Sequence, residues 1–597
     1  MPHANRIRAR LALCKSTCYS LLRDASRYLG SGSCRAPCDG ARALTEGHQV
    51  NVKQKPWLAL LVLCLGFFVV LLDATIVNVA IPTMLDSLHA RLDQILWVVN
   101  AFLLTFAVLL VTGGRLGDIF GPRNLFVIGL GAFSVASALC GLARDPNQLI
   151  AARALQGVGA AALSPQTLVI VSAIFPADRR GAAFGILSGV TGLAALAGPT
   201  LGGLIVTYLD WRWIFFVNVP IGIAGIAATF LLVPDLRPGQ RHRLDLIGVA
   251  LATAGLFGVV FGLIEGQRYE WGTVAGSWLT IPEIIGAGAV LLGLFLVWER
   301  FQREPLVPLS LFRNRNFSIM VWLSALLQFA LLGFILITTI DLQSVLGMSA
   351  VRAGLTTTPF TLCLVLTAPF AGRLTDRIGG RYILTLGFVL FGAGIAGVAL
   401  VESTTSTSFT FVLPLAVAGV GLGCVIAPLT TEAMREVPPV MTGAASGTLN
   451  TSRQIGSAIG GAVVAGAILQ SQLSSALRDR ALAAAPQVPT PFRQGFVDGF
   501  TNAAKGGLEV GRGQNGVGRL PAGLPPQAAQ LVQRLVHDVF INAYASAMRP
   551  TLAVVAAALL LGALSCNLMV RRAAAVPGLQ AVLVDETAAA GVNEPAA

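Results

Sequence analysis

Asp73 and Arg153 each interrupt a long apolar run with a single charge, and helical geometry puts them at one depth. With a rise of about 1.5 Å per residue, Asp73 lies ~24 Å up a hydrocarbon layer of ~30 Å, and Arg153, on a helix running the other way, lies ~9 Å below its outer face. An ionisable group left facing lipid is costly, so each is a functional candidate by default. Two chemistries fit the pair. The charges can neutralise each other as structure, or an aspartate near an arginine and near water can take up and release a proton as the protein rocks. Arg453 falls ~16 Å along its own helix, near the midplane, which is long for a snorkelling side chain. Gln328 at a similar height, with Asn78, Gln156 and Asn450 inside helices, could line a central cavity with it. Asp341 and Glu265 fall near outer helix ends, where interface solvation is the default expectation.

The elements that must position these groups follow from composition. Of 597 residues 55% are hydrophobic and 12% charged, more apolar than a soluble domain needs, so the chain reads as an all-α membrane protein. Fourteen charge-poor runs predict helices at 57–82, 94–112, 124–143, 148–174, 181–206, 213–233, 244–264, 278–298, 317–344, 352–371, 381–401, 409–430, 442–472 and 548–570. A net charge of +13 invites a nucleic-acid reading, but the arginines sort by side of the membrane instead. Arg115, Arg123, Arg179, Arg180, Arg237, Arg241, Arg243, Arg300, Arg303, Arg313, Arg315, Arg373, Arg377 and Arg381 all fall in gaps of one parity. Those gaps, the basic tail 1–56 and the tail 571–597 are expected in the cytoplasm of a bacterial cell, and no nucleic-acid partner is expected. Five of the nine cysteines sit in separate predicted helices, which excludes a disulfide framework. Cys14, Cys18, Cys34 and Cys38 have loose C-x3-C spacing that could hold zinc; the plainer reading is an unstructured basic tail, and no metal is expected.

An internal repeat sets the architecture. GRLGDIFGPR at 114–123 and GRLTDRIGGR at 372–381 match at six of ten positions at an offset of 258 residues. The copies follow the second and tenth helices, so eight helices separate them, both copies face one side, and the repeats are parallel. The expected organisation is a six-helix bundle over 57–233, two inserted helices over 244–298, and a second six-helix bundle over 317–570. The outer stretch 473–547, rich in Gly, Pro, Gln and Ala, reads as a flexible loop. Near its end Leu531, Leu535 and Val539 recur at helical spacing, as in a surface-lying amphipathic helix or an extension preceding the last helix. Glycines of the fifth helix, Gly198, Gly202 and Gly203 with Pro199 among them, fit close packing or a gating bend equally.

Chemistry is also missing. None of the four lysines follows the glycines of a phosphate-binding loop, the two G-x-G-x-x-G matches lie mid-helix and in the outer loop, and no G-x-S-x-G or H-E-x-x-H occurs. No enzyme, no cofactor and no direct use of ATP are expected.

Together the segments resemble the major facilitator superfamily, specifically its fourteen-helix drug:proton antiporters. GGRLGDIFGPR resembles the superfamily's signature loop, LDATIVNVAIP (72–82) its first-helix motif, LIAARALQGVGAAALSP (149–165) its fourth-helix motif, and GVTGLAALAGPTLGG (189–203) its helix 5 antiporter motif. WRWIFFVNVPIG (211–222) and GAASGTLNTSRQIG (443–456) match stretches typical of that branch. The resemblance implies a major facilitator fold and export of amphiphilic, often cationic compounds by alternating access, driven by protons. It implies a role for Asp73 linked to protons or substrate, a proton-transfer role for Arg153, and a gating role for the loops carrying Gly114, Arg115, Asp118, Gly121 and Arg123 and, in the second copy, Gly372, Arg373, Asp376 and Arg381. A dedicated exporter of one endogenous lipid or natural product is the alternative, and a non-transporting sensor or scaffold a more distant one; a monomer is expected. Asp341 is a departure from the family pattern, which more usually has an uncharged or aromatic residue there. It is counted with the cavity candidates as a group that could favour cations.

Overall fold

In the computed structural model the described residues are 56–90, 92–176, 178–236, 244–266, 268–274, 277–302, 304–348, 350–403, 406–438, 441–488, 490–505 and 526–570. The chain divides into two compact units, Met1–Gln54 and Lys55–Ala597. The first unit, with the four-cysteine tail and its zinc alternative, lies outside the described residues, as does the tail 571–597.

Among the described residues fourteen helices are long and apolar enough to cross a membrane. They are α1 Pro56–Ser87, α2 Leu92–Phe120, α3 Pro122–Leu142, α4 Pro146–Ile174, α5 Arg180–Tyr208 and α6, made of Trp213–Phe216 and Asn218–Leu232. Next come α7 Leu246–Glu265, α8 Ile281–Glu299, α9 Arg315–Ile340, α10 Ala350–Ile378, α11 Gly380–Val401, α12 Val412–Arg435, α13 Thr442–Gly460 and α14 Pro526–Ser565. Among the described residues no strand forms beyond one isolated bridge, Thr273 to Thr280. Helix starts carry ordinary local signals. Pro122 and Pro146 open α3 and α4, the Asp145 carboxylate accepts from the backbone of Asn147 and Gln148, and Thr280 with Glu283 forms a capping box on α8.

The two halves repeat in their packing. In the first, α1 packs on α5 and α6, α2 on α4, and α3 on α4 and α6; in the second, α9 packs on α13 and α14, α10 on α12, and α11 on α12 and α14. Every one of these pairings recurs eight helices later, so the repeat read from one motif extends through the architecture: two parallel six-helix bundles. The inserted α7 and α8 pack on each other, and α7 also meets α2 and α13.

Two segments differ from the sequence expectation. The repeated motifs are mostly helix, since α2 runs to Phe120 and α10 to Ile378, so each hinge is one residue. Gly121 and Gly379, at equivalent repeat positions, hold φ of 88° and 84°, a region nearly closed to other residues. The charged residues that seemed to end the helices are instead their last two turns. The described part of the stretch 473–547 also departs from a flexible loop, residues 506–525 lying outside the described residues. After a π-helical run, Gly461–Leu469, helix continues through Gln470–Ala484, a second helix spans Arg493–Lys505, and α14 begins at Pro526. Leu473, Leu477, Ala481, Phe500, Val532, Leu535 and Val539 are buried where these helices meet. The apolar stripe at 531–539 is therefore an extension of α14 with a protein partner, because Leu535 and Val539, with Val532, are buried where it meets Gln470–Ala484, while Leu531 stays exposed. A Gly- and Pro-rich composition obscured it.

Candidate functional site

Asp73 and Arg153 meet. Both are almost fully buried, with Asp73 0% and Arg153 1% exposed, and their side chains form an ion pair between α1 and α4. Three other helices complete the setting. The Arg153 Nε donates to the Val98 carbonyl of α2 at 3.0 Å, and one terminal nitrogen donates to Gln156 Oε1 at 2.8 Å. Gln156 Nε2 donates to Asp73 Oδ1 at 2.9 Å, and Asn218 Nδ2 of α6 donates to the same oxygen at 3.2 Å. Asn218 Nδ2 also reaches Ser137 Oγ of α3 at 3.1 Å, and Ser137 donates to the Phe215 carbonyl at 2.9 Å. The guanidinium lies 4.3 Å from the Phe102 ring centroid and 5.9 Å from that of Phe215. The chemistry is that of a charge pair whose hydrogen bonds tie five helices of one half; a proton added to Asp73 would disturb all of them.

Gln156, expected on a cavity wall, is fully buried and has both amide atoms engaged in this pair. The sequence put Gln156 inside a helix but could not say which neighbour it faced. Asn218 was missed as a site residue, although it stands in the quoted WRWIFFVNVPIG stretch.

The face carrying the two motifs, here the motif face, is where the halves touch. Asp118 Oδ1 accepts from Gly443 N at 3.0 Å and Oδ2 from Ala444 N at 3.2 Å, at the N-terminus of α13. Asp376 Oδ1 accepts from Gly181 N at 3.0 Å, at the N-terminus of α5. Each repeat's acid thus binds the positive end of a helix in the other half. Around the first acid, Arg115 lies 3.9 Å from Asp118, and Arg123 lies 5.3 Å from the Phe230 ring centroid. Around the second, Arg373 is exposed and Arg381 donates to Asn567 at 3.1 Å. Glycines let the backbones meet. A Cβ on Gly114 would strike the Gly443 carbonyl, one on Gly372 the Gly181 carbonyl, and one on Gly185 the backbone at Ala368 and Pro369. Replacing Gly372 by alanine is therefore expected to wedge α10 off α5 and lower transport severalfold while membrane insertion stays normal, read as export rate per inserted copy.

Toward the far face α5 turns to its own half. A Cβ on Gly198 would meet Thr75 and one on Gly202 would meet Ile76, both of α1, whereas Gly203 has nothing within 4 Å and so packs against nothing. Nothing of the Pro199 side chain is described. Asn78 is exposed and bonds its own helix at Ala74. Asn450 bonds Ser446 of its own helix at 3.0 Å, Arg453 donates to Thr430 Oγ1 at 2.8 Å, and Gln328 is half-buried on α9. Asp341 and Glu265, expected in interfacial water, are buried at 0% and 2% exposure. Glu265 accepts from Asn100 of α2 at 2.9 Å and pairs with Arg268 at 3.1 Å, which fixes the inserted pair to the first half.

A repeated twelve-helix core, closed at one face by acids on helix ends, defines a class of membrane carrier. The chain belongs to the Major Facilitator Superfamily, whose profile matches residues 63–461. It is a multi-span membrane transporter, not an enzyme. It is 32% identical over 86% of its length to the tetracenomycin C resistance and export protein of Streptomyces glaucescens, covering 90% of that protein. To the multidrug resistance protein Stp of Mycobacterium tuberculosis it is 35% identical over 72% of its length, covering 79% of the relative. Among solved structures it resembles the human organic anion transporter MFSD10 with a TM-score of 0.50 at 14% identity, over 69% of this chain and 94% of that one, which bears on the fold alone.

Proposed function

We propose that the protein exports amphiphilic compounds, cations among them, across a bacterial cytoplasmic membrane in exchange for protons, by alternating access and as a monomer. The motif face is cytoplasmic, as are both termini, and the proton gradient is the only energy source. The observation that supports this best is the Asp73–Arg153 pair, a buried charge pair on helices that must move relative to the second half. Protonation of Asp73 would cancel its charge, free Arg153 to seek another acceptor, and so bias the bundle between two arrangements. The clasps at Asp118 and Asp376 hold the arrangement seen here, closed at the motif face.

Proteoliposomes test it. With a lumen acidified relative to the bath, addition of a lipophilic cation or an aromatic polyketide should release protons from vesicles holding the protein and from no empty ones. If a panel of such compounds produces no proton flux, and export persists after the gradient is collapsed, the reading fails. A dedicated exporter is the second reading, favoured by the relative named for a single antibiotic, tetracenomycin C. Competition separates the two, since many unrelated compounds should inhibit a multidrug pump and few a dedicated one.

A further inference from the structure

At the far face of the second half, two acids are buried in a way that Asp73 is not. Asp341 follows the last residue of α9 and opens a π-helical turn, Asp341–Val345; Glu402 follows the last residue of α11. Both elements pack on α14, which brings Tyr544 and Arg549 to them. Asp341 is 0% and Glu402 1% exposed, and among the described residues no hydrogen-bond donor reaches any of their four carboxylate oxygens. Two donors nearby are engaged elsewhere. Tyr544 donates to the Ile337 carbonyl at 2.9 Å, and Arg549 donates to the backbone carbonyl of Glu402 at 3.0 Å, not to its carboxylate. From α10, which also packs on the turn, the first charged residue is Arg352, and it is exposed. Asp341 and Glu402 lie within electrostatic range of each other, and both within range of the Tyr544 hydroxyl.

Two buried carboxylates that no described protein donor reaches cannot both stay ionised at no cost, because each lacks the protein hydrogen bonds that offset desolvation and each repels the other. The pair is not the symmetry mate of Asp73 either, since the repeat offset places Leu331 opposite that residue. We propose that Asp341 and Glu402 form a second proton-binding site, which carries at least one proton in the conformation closed at the motif face. Loading transfers a proton from hydronium in far-side water to one carboxylate, giving a carboxylic acid and water; release is the reverse, once that carboxylate is rehydrated. The π-helical turn, which has no counterpart in the first half among the described residues, gives α9 a place to flex as the site opens.

Burial raises Glu402 above the ordinary carboxylate range, with Arg549 opposing in part. A carboxyl raised in the folded state contributes stability at low pH that is lost as pH rises, so the protein should lose thermal stability on alkalinisation through this site. The inference rests on the transport reading for its purpose but not for its detection. Infrared difference spectroscopy of the full-length protein in nanodiscs should show the carbonyl stretch of a protonated carboxyl at neutral pH, shifted by deuteration and lost on alkalinisation. Asp341→Asn and Glu402→Gln should each remove or shift that band, remain inserted, and flatten the alkaline loss of stability. A wild-type spectrum without the band, which needs no variant to fold, would overturn the proposal, as would both variants retaining the band and the wild-type pH profile. A band that behaves as expected alongside transport indifferent to protons would leave this site standing and sink the coupling reading instead; proton-driven transport without the band would do the opposite.

Discussion

Asp73→Asn is expected to abolish proton-driven export and also to destabilise the protein by about 3–5 kcal/mol, the usual consequence of removing one partner of a buried ion pair. The size follows from what Arg153 retains. Its guanidinium is 1% exposed and would keep only neutral acceptors, the Val98 carbonyl and Gln156 Oε1, with the Phe102 ring beside it. An uncompensated charge at that depth has no route to water. Combining Asp73→Asn with Arg153→Gln removes the orphaned charge, so the double variant should regain most of the lost stability, with a coupling energy of several kcal/mol between the two sites. Transport should stay absent in both. Thermal unfolding of the purified protein and proton flux in proteoliposomes read the two effects separately. A double variant that regains stability and also exports when driven by a proton gradient would show that the pair is purely structural. Stability unmoved in the single variant would show that Arg153 finds another anion.

How far the sequence carried depended on what helical counting can reach. Counting along an axis gives depth, so the level placement of Asp73 and Arg153 was legible, as were fourteen helices and the parallel repeat. Rotation about the axis and the identity of the opposing helix come from packing. Gln156 shows this: its position on α4 was plain, but only the meeting of α1, α3, α4 and α6 shows it bound to Asp73 rather than facing a cavity. Glu402 gave no signal at all, since an acid just past an apolar run reads as an ordinary helix end, and its burial depends on α14 arriving from far along the chain. The far-side helices were hidden for a related reason. Their apolar stripes are short and separated by Gly- and Pro-rich sequence, so their stability lies in contacts with one another and not in any one segment. The motif acids fall between these cases, because the resemblance implied a gating role while the choice of α13 and α5 was a matter of tertiary structure.

Removing both clasps at the motif face should have the other large effect. Asp118 and Asp376 each accept backbone N–H groups at the start of a helix in the opposite half, so each serves as a cap supplied in trans. A capping side chain contributes about 0.5–2 kcal/mol and a charge at a helix N-terminus a further ~0.3–1 kcal/mol. Asparagine keeps one acceptor oxygen and loses the charge, so each single substitution should cost about 1 kcal/mol of the closed arrangement, roughly a fivefold shift. The two contacts lie on separate helix pairs, α2 with α13 and α5 with α10, and their effects should add. The double variant Asp118→Asn, Asp376→Asn should therefore move the ratio of closed to open protein by one to two orders of magnitude. Spin labels at the motif-face ends of α5 and α10 would report this as a new, longer distance population, while far-face labels on α1 and α9 move closer. Export should fall with it, because a carrier that rests open on one side completes few cycles even when its binding site is intact. Unchanged distance distributions in the double variant would mean that glycine-mediated backbone packing at Gly114, Gly181 and Gly372 holds the face shut without the acids. Combining the acid substitutions with Gly372→Ala would then be the perturbation that opens it.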